Sequence, residues 1–200
     1  KVKRVLPEGI DLEYDGYYRA MFCYKAKNYA LYDGGKVLIR GSALRSRGTE
    51  PFLKELTDTL IAHLLEAADE EPQARLTELR ERIAAGEMPV EKLARSEYLS
   101  QNPESYAKAV ESGKKPRRAS LEVALRSPRN WRMGDQVKYY IVTGGKKREP
   151  DWKRARPLET FDAQAAPYDP EYYLKKLDDW LKRYGEFIPG EAAPRQEKLL

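Results

Sequence analysis

The spacing of apolar residues changes near residue 50, and this change restricts the fold more than any other feature of the chain. Before that point, short runs rich in aromatic and β-branched residues are separated by turn residues, which is typical of strands. After it, Phe52, Leu56 and Leu60 recur at the spacing of a buried helical stripe. The sequence therefore predicts an α+β fold: a small antiparallel sheet followed by a mostly helical region with a small strand element.

Three strands are predicted before this change, over residues 17–25, 28–32 and 36–40. The second and third are joined by Asp33-Gly34-Gly35, in which glycine supplies the positive φ that a tight hairpin turn requires. The three strands are expected to form an antiparallel meander.

Proline and capping residues place the helices that follow. Pro51 and Pro170 stand in first-turn positions, which tolerate a missing backbone N–H, and Asp169 is a suitable cap for the last helix, which Gly185 ends. Between them the sequence predicts helices at 73–85, 103–110 and 120–125, a short segment at 89–94, and strands at 96–101 and 136–143. Residues 144–156 are basic and are predicted to be turn-rich.

Cys23 and His63 are the only cysteine and the only histidine of the chain. An intrachain disulfide is therefore impossible, a Cys/His zinc site is excluded, and a reducing, cytoplasmic location is expected. His63 lies between apolar residues of a predicted helix, so a structural role is expected for it. No apolar run approaches the roughly 18 residues of a membrane span, and no membrane association is expected.

Positive charge is concentrated in one part of the chain. Residues 114–156 carry 14 Lys and Arg against 4 Asp and Glu, a net charge of +10, whereas the whole chain has +5 and the remainder therefore −5. A segregated basic block is the expected footprint of a phosphate-binding surface. The alternative is a solvated charged surface without a ligand, and composition does not decide between them.

A first candidate site lies at the start of the second strand. If the chain alternates there as in a strand, Lys25, Lys27 and Tyr29 share one face. Ammonium groups and a phenol on one face can hold a sugar–phosphate backbone. The alternative is an ordinary edge strand whose lysines prevent edge-to-edge pairing.

A second candidate site is the junction between the third strand and the first helix. Arg40, Arg45 and Arg47 stand there among small and hydroxylated residues. Guanidinium forks and backbone amides together suit phosphate. The alternative is that one or two of these arginines pair with the acidic segment 50–71, which holds seven carboxylates and one lysine.

A third candidate site lies inside the basic block, in front of a predicted short helix. Its cations are Lys114, Lys115, Arg117 and Arg118. Trp131 lies further along among arginines, where an aromatic ring can stack on a base, although packing between elements is the commoner role of such a tryptophan.

The acidic pairs Asp178-Asp179 and Glu70-Glu71 lie on predicted helix surfaces or ends, and solvation explains them better than metal binding. The sequence contains no glycine-rich phosphate loop followed by Lys-Ser or Lys-Thr. No constellation of His, Cys or acidic residues indicates an independent enzyme.

Taken in order, four segments resemble the carboxy-terminal region of family B DNA polymerases, from about residue 10 to residue 185. Lys27-Asn28-Tyr29 resembles the Lys-x-Tyr motif of that family. The family often has a second lysine directly before this motif, where the present chain has Ala26, with Lys25 one position earlier. The other three segments are 36–47, 134–142 and 168–173.

The resemblance implies that residues 1–48 are the last part of a polymerase palm, that 49–187 form the thumb, and that 188–200 are a frayed tail. It implies that Lys27 and Tyr29 bind double-stranded primer–template DNA, and that the chain works with the rest of a polymerase, in the same chain or as a separate subunit. The family's catalytic Asp-x-Asp motif would lie upstream. No cofactor is therefore expected in this chain, and Mg²⁺ is expected only for the parent DNA-directed DNA polymerase.

A second hypothesis from the sequence is a stand-alone nucleic-acid-binding or scaffolding module without catalysis. The basic block is compatible with both hypotheses, because phosphate binding is common to them.

Overall fold

The computed structural model describes residues 14–45, 48–114, 116–144 and 149–188. Within these ranges the protein is a mixture of helices and two small antiparallel sheets, so the predicted α+β class is confirmed. No helix in these ranges is long and apolar enough to cross a membrane.

The first sheet contains β1 (Ala20–Lys25), β2 (Asn28–Tyr32) and β3 (Val37–Arg40) in the order β1-β2-β3. The predicted meander is confirmed, including the turn after β2, where Asp33 Oδ1 accepts hydrogen bonds from the backbone N–H groups of Gly35 and Lys36, both 2.8 Å long. These bonds lower the pKa of the Asp33 carboxyl. The first strand starts later than predicted, because Tyr17 lies in exposed irregular chain.

One face of the first sheet packs against the carboxy-terminal end of the described chain. The ring centroids of Phe22 and Phe187 are 5.1 Å apart, as are those of Tyr24 and Tyr184. Aromatic pairs at this distance add to the stability that area burial provides. The sheet is therefore attached to a helix that is about 150 residues away in sequence.

The helices are α1 (Pro51–Leu64), α2 (Pro72–Ala84), α3 (Val90–Leu93), α4 (Pro103–Glu111), α5 (Ala119–Arg126), α6 (Asp151–Arg154) and α7 (Pro170–Tyr184). Four of them begin with proline in the first turn, as predicted for α1 and α7. The side chains of Asn102 and Asp169 accept backbone N–H bonds at the starts of α4 and α7.

The second sheet contains β4 (Arg95–Tyr98), β5 (Gln136–Ile141) and β6 (Ala155–Pro157) in the order β4-β5-β6. The first two strands were expected, but α6 and β6 fall in residues predicted to be turn-rich. Both are too short to give a periodic signal. Arg126 supports this part of the chain through bonds of 2.7 and 3.3 Å to the carbonyl oxygens of Trp152 and Lys153.

Helix α7 joins the other elements into one core. Its buried Trp180 donates a 2.9 Å hydrogen bond to Thr57 of α1, and Tyr173 accepts one of 2.9 Å from the backbone N–H of Ile141 in β5. Ile188, the first residue of the predicted tail, is 2% exposed, and residues 189–200 lie outside the described ranges.

Candidate nucleic-acid interface

The turn between β1 and β2 consists of Ala26 and Lys27, and Lys27 has a φ of 63°. The prediction that Lys25, Lys27 and Tyr29 alternate along one strand face is therefore wrong. Lys25 ends β1 and pairs with Asn28 across the turn. A left-handed backbone conformation is uncommon in a residue with a bulky side chain. Nothing in the run Lys-Ala-Lys-Asn indicated a turn at this point.

Tyr29 lies in a row of residues that crosses the sheet. It is paired with Cys23 of β1 and with Arg40 of β3, and directly paired residues on antiparallel strands point to the same face. Tyr29 is half-buried, whereas Cys23 and Arg40 are exposed. The structure thus brings the phenol beside one of the predicted arginines, which are eleven positions apart in the sequence.

The chain after β3, residues 41–45, forms a compact turn that contacts the β1–β2 turn and is called the arginine turn below. Gly41 has a φ of 94°, and a Cβ atom placed on it would overlap the Lys27 carbonyl oxygen and Asn28 Oδ1. Arg45 is exposed at the end of this turn, and its Nη1 lies 3.5 Å from the Ile39 carbonyl oxygen. The five residues Lys25, Lys27, Tyr29, Arg40 and Arg45 are called the hairpin–turn cluster below. Arg47 lies outside the described ranges.

The segment called the basic loop, residues 114–118 between α4 and α5, contacts two buried side chains, those of Tyr106 and Glu122. Tyr106 OH donates a 3.0 Å hydrogen bond to Glu122, and it accepts one of 2.8 Å from the backbone N–H of Arg118. Glu122 also pairs with Arg117 at 2.8 Å. The backbone at Arg118 is therefore held in place, while the side chains of Lys114 and Arg118 are exposed; Lys115 lies outside the described ranges.

Arg117 and Arg118 line a cleft of about 480 Å³ that also contains Arg95, Trp152 and Tyr172. The Arg117 guanidinium stacks on the Trp152 ring, 4.7 Å from its centroid. Burial raises the pKa of the Tyr172 phenol.

Arg95 of this cleft also lies beside Gly48, shortly before α1. Its Nη2 would lie 3.2 Å from a Cβ atom placed on Gly48, close to the end of the arginine turn. Its Nε forms a 2.9 Å ion pair with Glu97, which also accepts a hydrogen bond from Tyr139 OH. Sequence reasoning missed Arg95 and Trp152. An aromatic residue within a basic run was a usable signal for Trp152, whereas Arg95 carried none.

Several cations of the basic block form ion pairs or hydrogen bonds within the protein. Arg154 pairs with Asp151 at 3.1 Å and with Asp169 at 2.5 Å, and Arg126 and Arg156 donate to backbone carbonyl oxygens. Trp131 is 5% exposed, with the Arg129 guanidinium 4.2 Å from its ring centroid, so its faces are not open to a base. The charge available for a ligand is therefore smaller than the composition suggested.

Of the predicted solvated acids, Asp178 and Asp179 lie on α7, and Glu70 and Glu71 lie just before α2. Asp178 pairs with Arg80 at 2.8 Å, Asp179 pairs with Lys182 at 3.6 Å, and Glu70 accepts a hydrogen bond from Thr59. Within the described part of the chain, no three His, Cys, Asp or Glu side chains converge so that they could hold a metal ion.

Comparison of the sequence with known protein families identifies the class of protein to which this fold belongs. The sequence profile of DNA polymerase family B matches residues 1–186. The chain belongs to DNA polymerase family B, and the resemblance carried by its four ordered segments is confirmed.

Two curated relatives and one solved structure illustrate the match. The DNA polymerase of Thermococcus kodakarensis is 32% identical over 173 residues, covering 85% of this chain and 10% of that protein. The DNA polymerase of Thermococcus sp. (strain 9oN-7) is 31% identical over 188 residues, covering 90% of this chain and 23% of that protein.

The structure of the family B DNA polymerase from the hyperthermophilic archaeon Pyrobaculum calidifontis superposes with a TM-score of 0.65 at 22% identity, covering 94% of this chain and 23% of that one. This likeness shows a shared fold. The chain spans 10% to 23% of the length of these three proteins.

Proposed function

We propose that this chain binds double-stranded primer–template DNA as the last part of the palm and the thumb of a DNA-directed DNA polymerase. The observation that carries the proposal is the contact between the β1–β2 turn and the arginine turn, where Gly41 packs against the Lys27 carbonyl oxygen and Asn28, while Lys27 and Arg45 are both exposed. The side chains of Lys25, Lys27, Arg40 and Arg118 form no ion pair with another described residue. They are therefore available for phosphate.

In this proposal the hairpin–turn cluster and the basic loop hold the duplex through its backbone. Phosphate contacts position a duplex without reading its sequence, which is what an enzyme that moves along its product needs. The rest of the polymerase, in the same chain or as a separate subunit, supplies phosphoryl transfer and the Mg²⁺ ions that assist it. Tyr29 adds a phenol that packs against sugar or donates a hydrogen bond.

The salt dependence of DNA binding tests the proposal. The logarithm of the affinity for a primed duplex should fall linearly with the logarithm of salt concentration, with a slope of about −0.9 for each phosphate contact. Lys27→Ala and Arg118→Ala should each reduce the steepness of this slope by about 0.9, because each removes one contact. Fluorescence anisotropy of a labelled primer–template between low and physiological salt measures both quantities.

Lys182→Ala is the matched control, because it removes the same charge from an exposed position on α7 outside both basic regions. Its slope should equal that of the unaltered chain. Tyr29→Phe should weaken binding and leave the slope unchanged, since the phenol is uncharged. Binding that ignores salt, or a Lys182→Ala slope reduced as much as that of Lys27→Ala, would contradict the proposed contacts.

Because the proposal assigns catalysis to the rest of the polymerase, it makes a separate prediction about this chain alone. The purified 200-residue chain should not incorporate deoxynucleotides into a primed template with Mg²⁺ present, because its described residues offer no carboxylate cluster for the metal. Primer extension followed on a denaturing gel measures this, with a complete family B polymerase as the positive control. Incorporation that copurifies with the chain and follows its concentration would show that catalysis resides here.

A further inference from the structure

The Asn28 side chain joins two segments of the hairpin–turn cluster. Its Nδ2 donates a 2.9 Å hydrogen bond to the Ala26 carbonyl oxygen in the β1–β2 turn. Its Oδ1 accepts a 2.8 Å bond from the backbone N–H of Ala43 in the arginine turn. Both ends of one amide are therefore used, which fixes its orientation and ties the β1–β2 turn to Ala43, fifteen residues after Asn28.

The two turns also touch through their backbones. Gly41 leaves no room for a Cβ atom beside the Lys27 carbonyl oxygen and Asn28 Oδ1, and Asn28 Cα would lie only 2.7 Å away. The amide bond to Ala43 is thus made across a closely packed joint. Such a joint has little freedom to change the separation of the two turns.

A second hydrogen bond holds the same residue of the arginine turn from the other side. Tyr184 OH, at the end of α7, donates a 3.0 Å bond to the Ala43 carbonyl oxygen. Ala43 therefore has its N–H held by the sheet and its C=O held by the last helix. Arg45, two residues further on, is placed relative to both.

We propose that Asn28 is a positioning residue for DNA binding, which keeps the cations of the β1–β2 turn and of the arginine turn at a constant separation. This inference rests on the proposed function. The Asn28 amide carries no charge and is used by the protein backbone, so it acts through Lys27, Arg40 and Arg45. Holding these groups in place before binding lowers the entropy lost when they meet successive phosphates.

The proposal predicts an unusual combination of effects for Asn28→Ala. Affinity for a primed duplex should fall roughly five- to tenfold, as for the loss of the one hydrogen bond that joins the two turns. The salt slope should stay unchanged, because the number of cations that meet phosphate is the same. The backbone amide of Ala43 should also lose its protection from hydrogen exchange, while that of Ala30 inside the sheet keeps it.

Asn102→Ala is the matched control. Asn102 is also an asparagine whose Oδ1 accepts a backbone N–H, that of Glu104 at 2.9 Å, and it lies outside both basic regions. The same substitution there should also lower stability, through the loss of its backbone hydrogen bond, and should leave DNA affinity unchanged. A general loss of stability would weaken DNA binding in both variants alike, whereas positioning weakens it only in Asn28→Ala.

Three results would overturn the inference while leaving the proposed function intact. The first is equal DNA affinity of Asn28→Ala and Asn102→Ala, and the second is a salt slope reduced by about 0.9 in Asn28→Ala, which would indicate a lost phosphate contact. The third is an Ala43 amide that stays protected from hydrogen exchange in Asn28→Ala. Failure of the unaltered chain to bind primed DNA would instead remove the proposed function itself. Anisotropy titrations at several salt concentrations and amide exchange followed by NMR give all of these measurements.

Discussion

Gly41→Ala is expected to lower the free energy of unfolding by roughly 2–4 kcal/mol, a large loss for a domain of this size. Two effects add. Gly41 has a φ of 94°, which side chains with a Cβ atom rarely adopt, and the new methyl group would overlap the Lys27 carbonyl oxygen and Asn28 Oδ1. Neither obstacle is the flexible end of a long side chain, so relief requires the two turns to separate. Urea unfolding monitored by tryptophan fluorescence measures the loss.

Gly86→Ala separates the two effects. Gly86 has a φ of 77° and nothing within 4 Å of the position that a Cβ atom would occupy. It should lose only the conformational part, on the order of 1 kcal/mol. The difference between the two variants is then the cost of opening the joint, and equal losses would show that no close approach exists at Gly41.

Asp169→Ala is expected to destabilise the protein by roughly 3 kcal/mol, because the carboxylate has two roles. Oδ1 accepts the backbone N–H of Tyr172 at 3.2 Å and caps α7, and Oδ2 forms a 2.5 Å ion pair with Arg154. The side chains of Asp169 and Arg154 are 12% and 14% exposed. Removing the carboxylate leaves a largely buried guanidinium that pairs with the more exposed side chain of Asp151.

Two further variants divide this loss between the cap and the ion pair. Asp169→Asn keeps an acceptor for Tyr172 and removes the charge, so it should lose about 2 kcal/mol. Asn102→Ala removes a cap of α4 without an ion pair and should lose about 1 kcal/mol. Thermal unfolding of the three variants against the unaltered chain measures the order. An Asp169→Ala loss no larger than that of Asn102→Ala would mean that the pair with Arg154 contributes nothing.

The elements that the sequence predicted well are those whose signal is local. Proline in the first turn, a capping Asp169 and a stripe of apolar residues identified α7 within one residue at each end. The Asp33-Gly34-Gly35 turn defined the β2–β3 hairpin for the same reason: the conformation depends on the residues in the turn themselves.

Predictions were wrong or incomplete where a contact between distant residues decides the conformation. Alternation placed Lys25, Lys27 and Tyr29 on one face, but Lys27 lies in a turn whose carbonyl oxygen packs against Gly41. The residues of β6 have no strand periodicity, and they pair with β5 in a part of the chain that Arg126 supports from α5. Neither interaction can be read from a window of neighbouring residues.

The candidate interface shows the same division. The residue types that suit phosphate, and the segments that carry them, were determined by the sequence alone, because charge and chemistry belong to each side chain. The tertiary structure decided which cations remain available for a ligand. Arg126 and Arg154 bond to other groups of the protein, whereas the Arg118 side chain stays exposed next to the Tyr106–Glu122 pair. The separation of the available cations likewise depends on hydrogen bonds such as Asn28 to Ala43, which form only when segments distant in sequence are packed together.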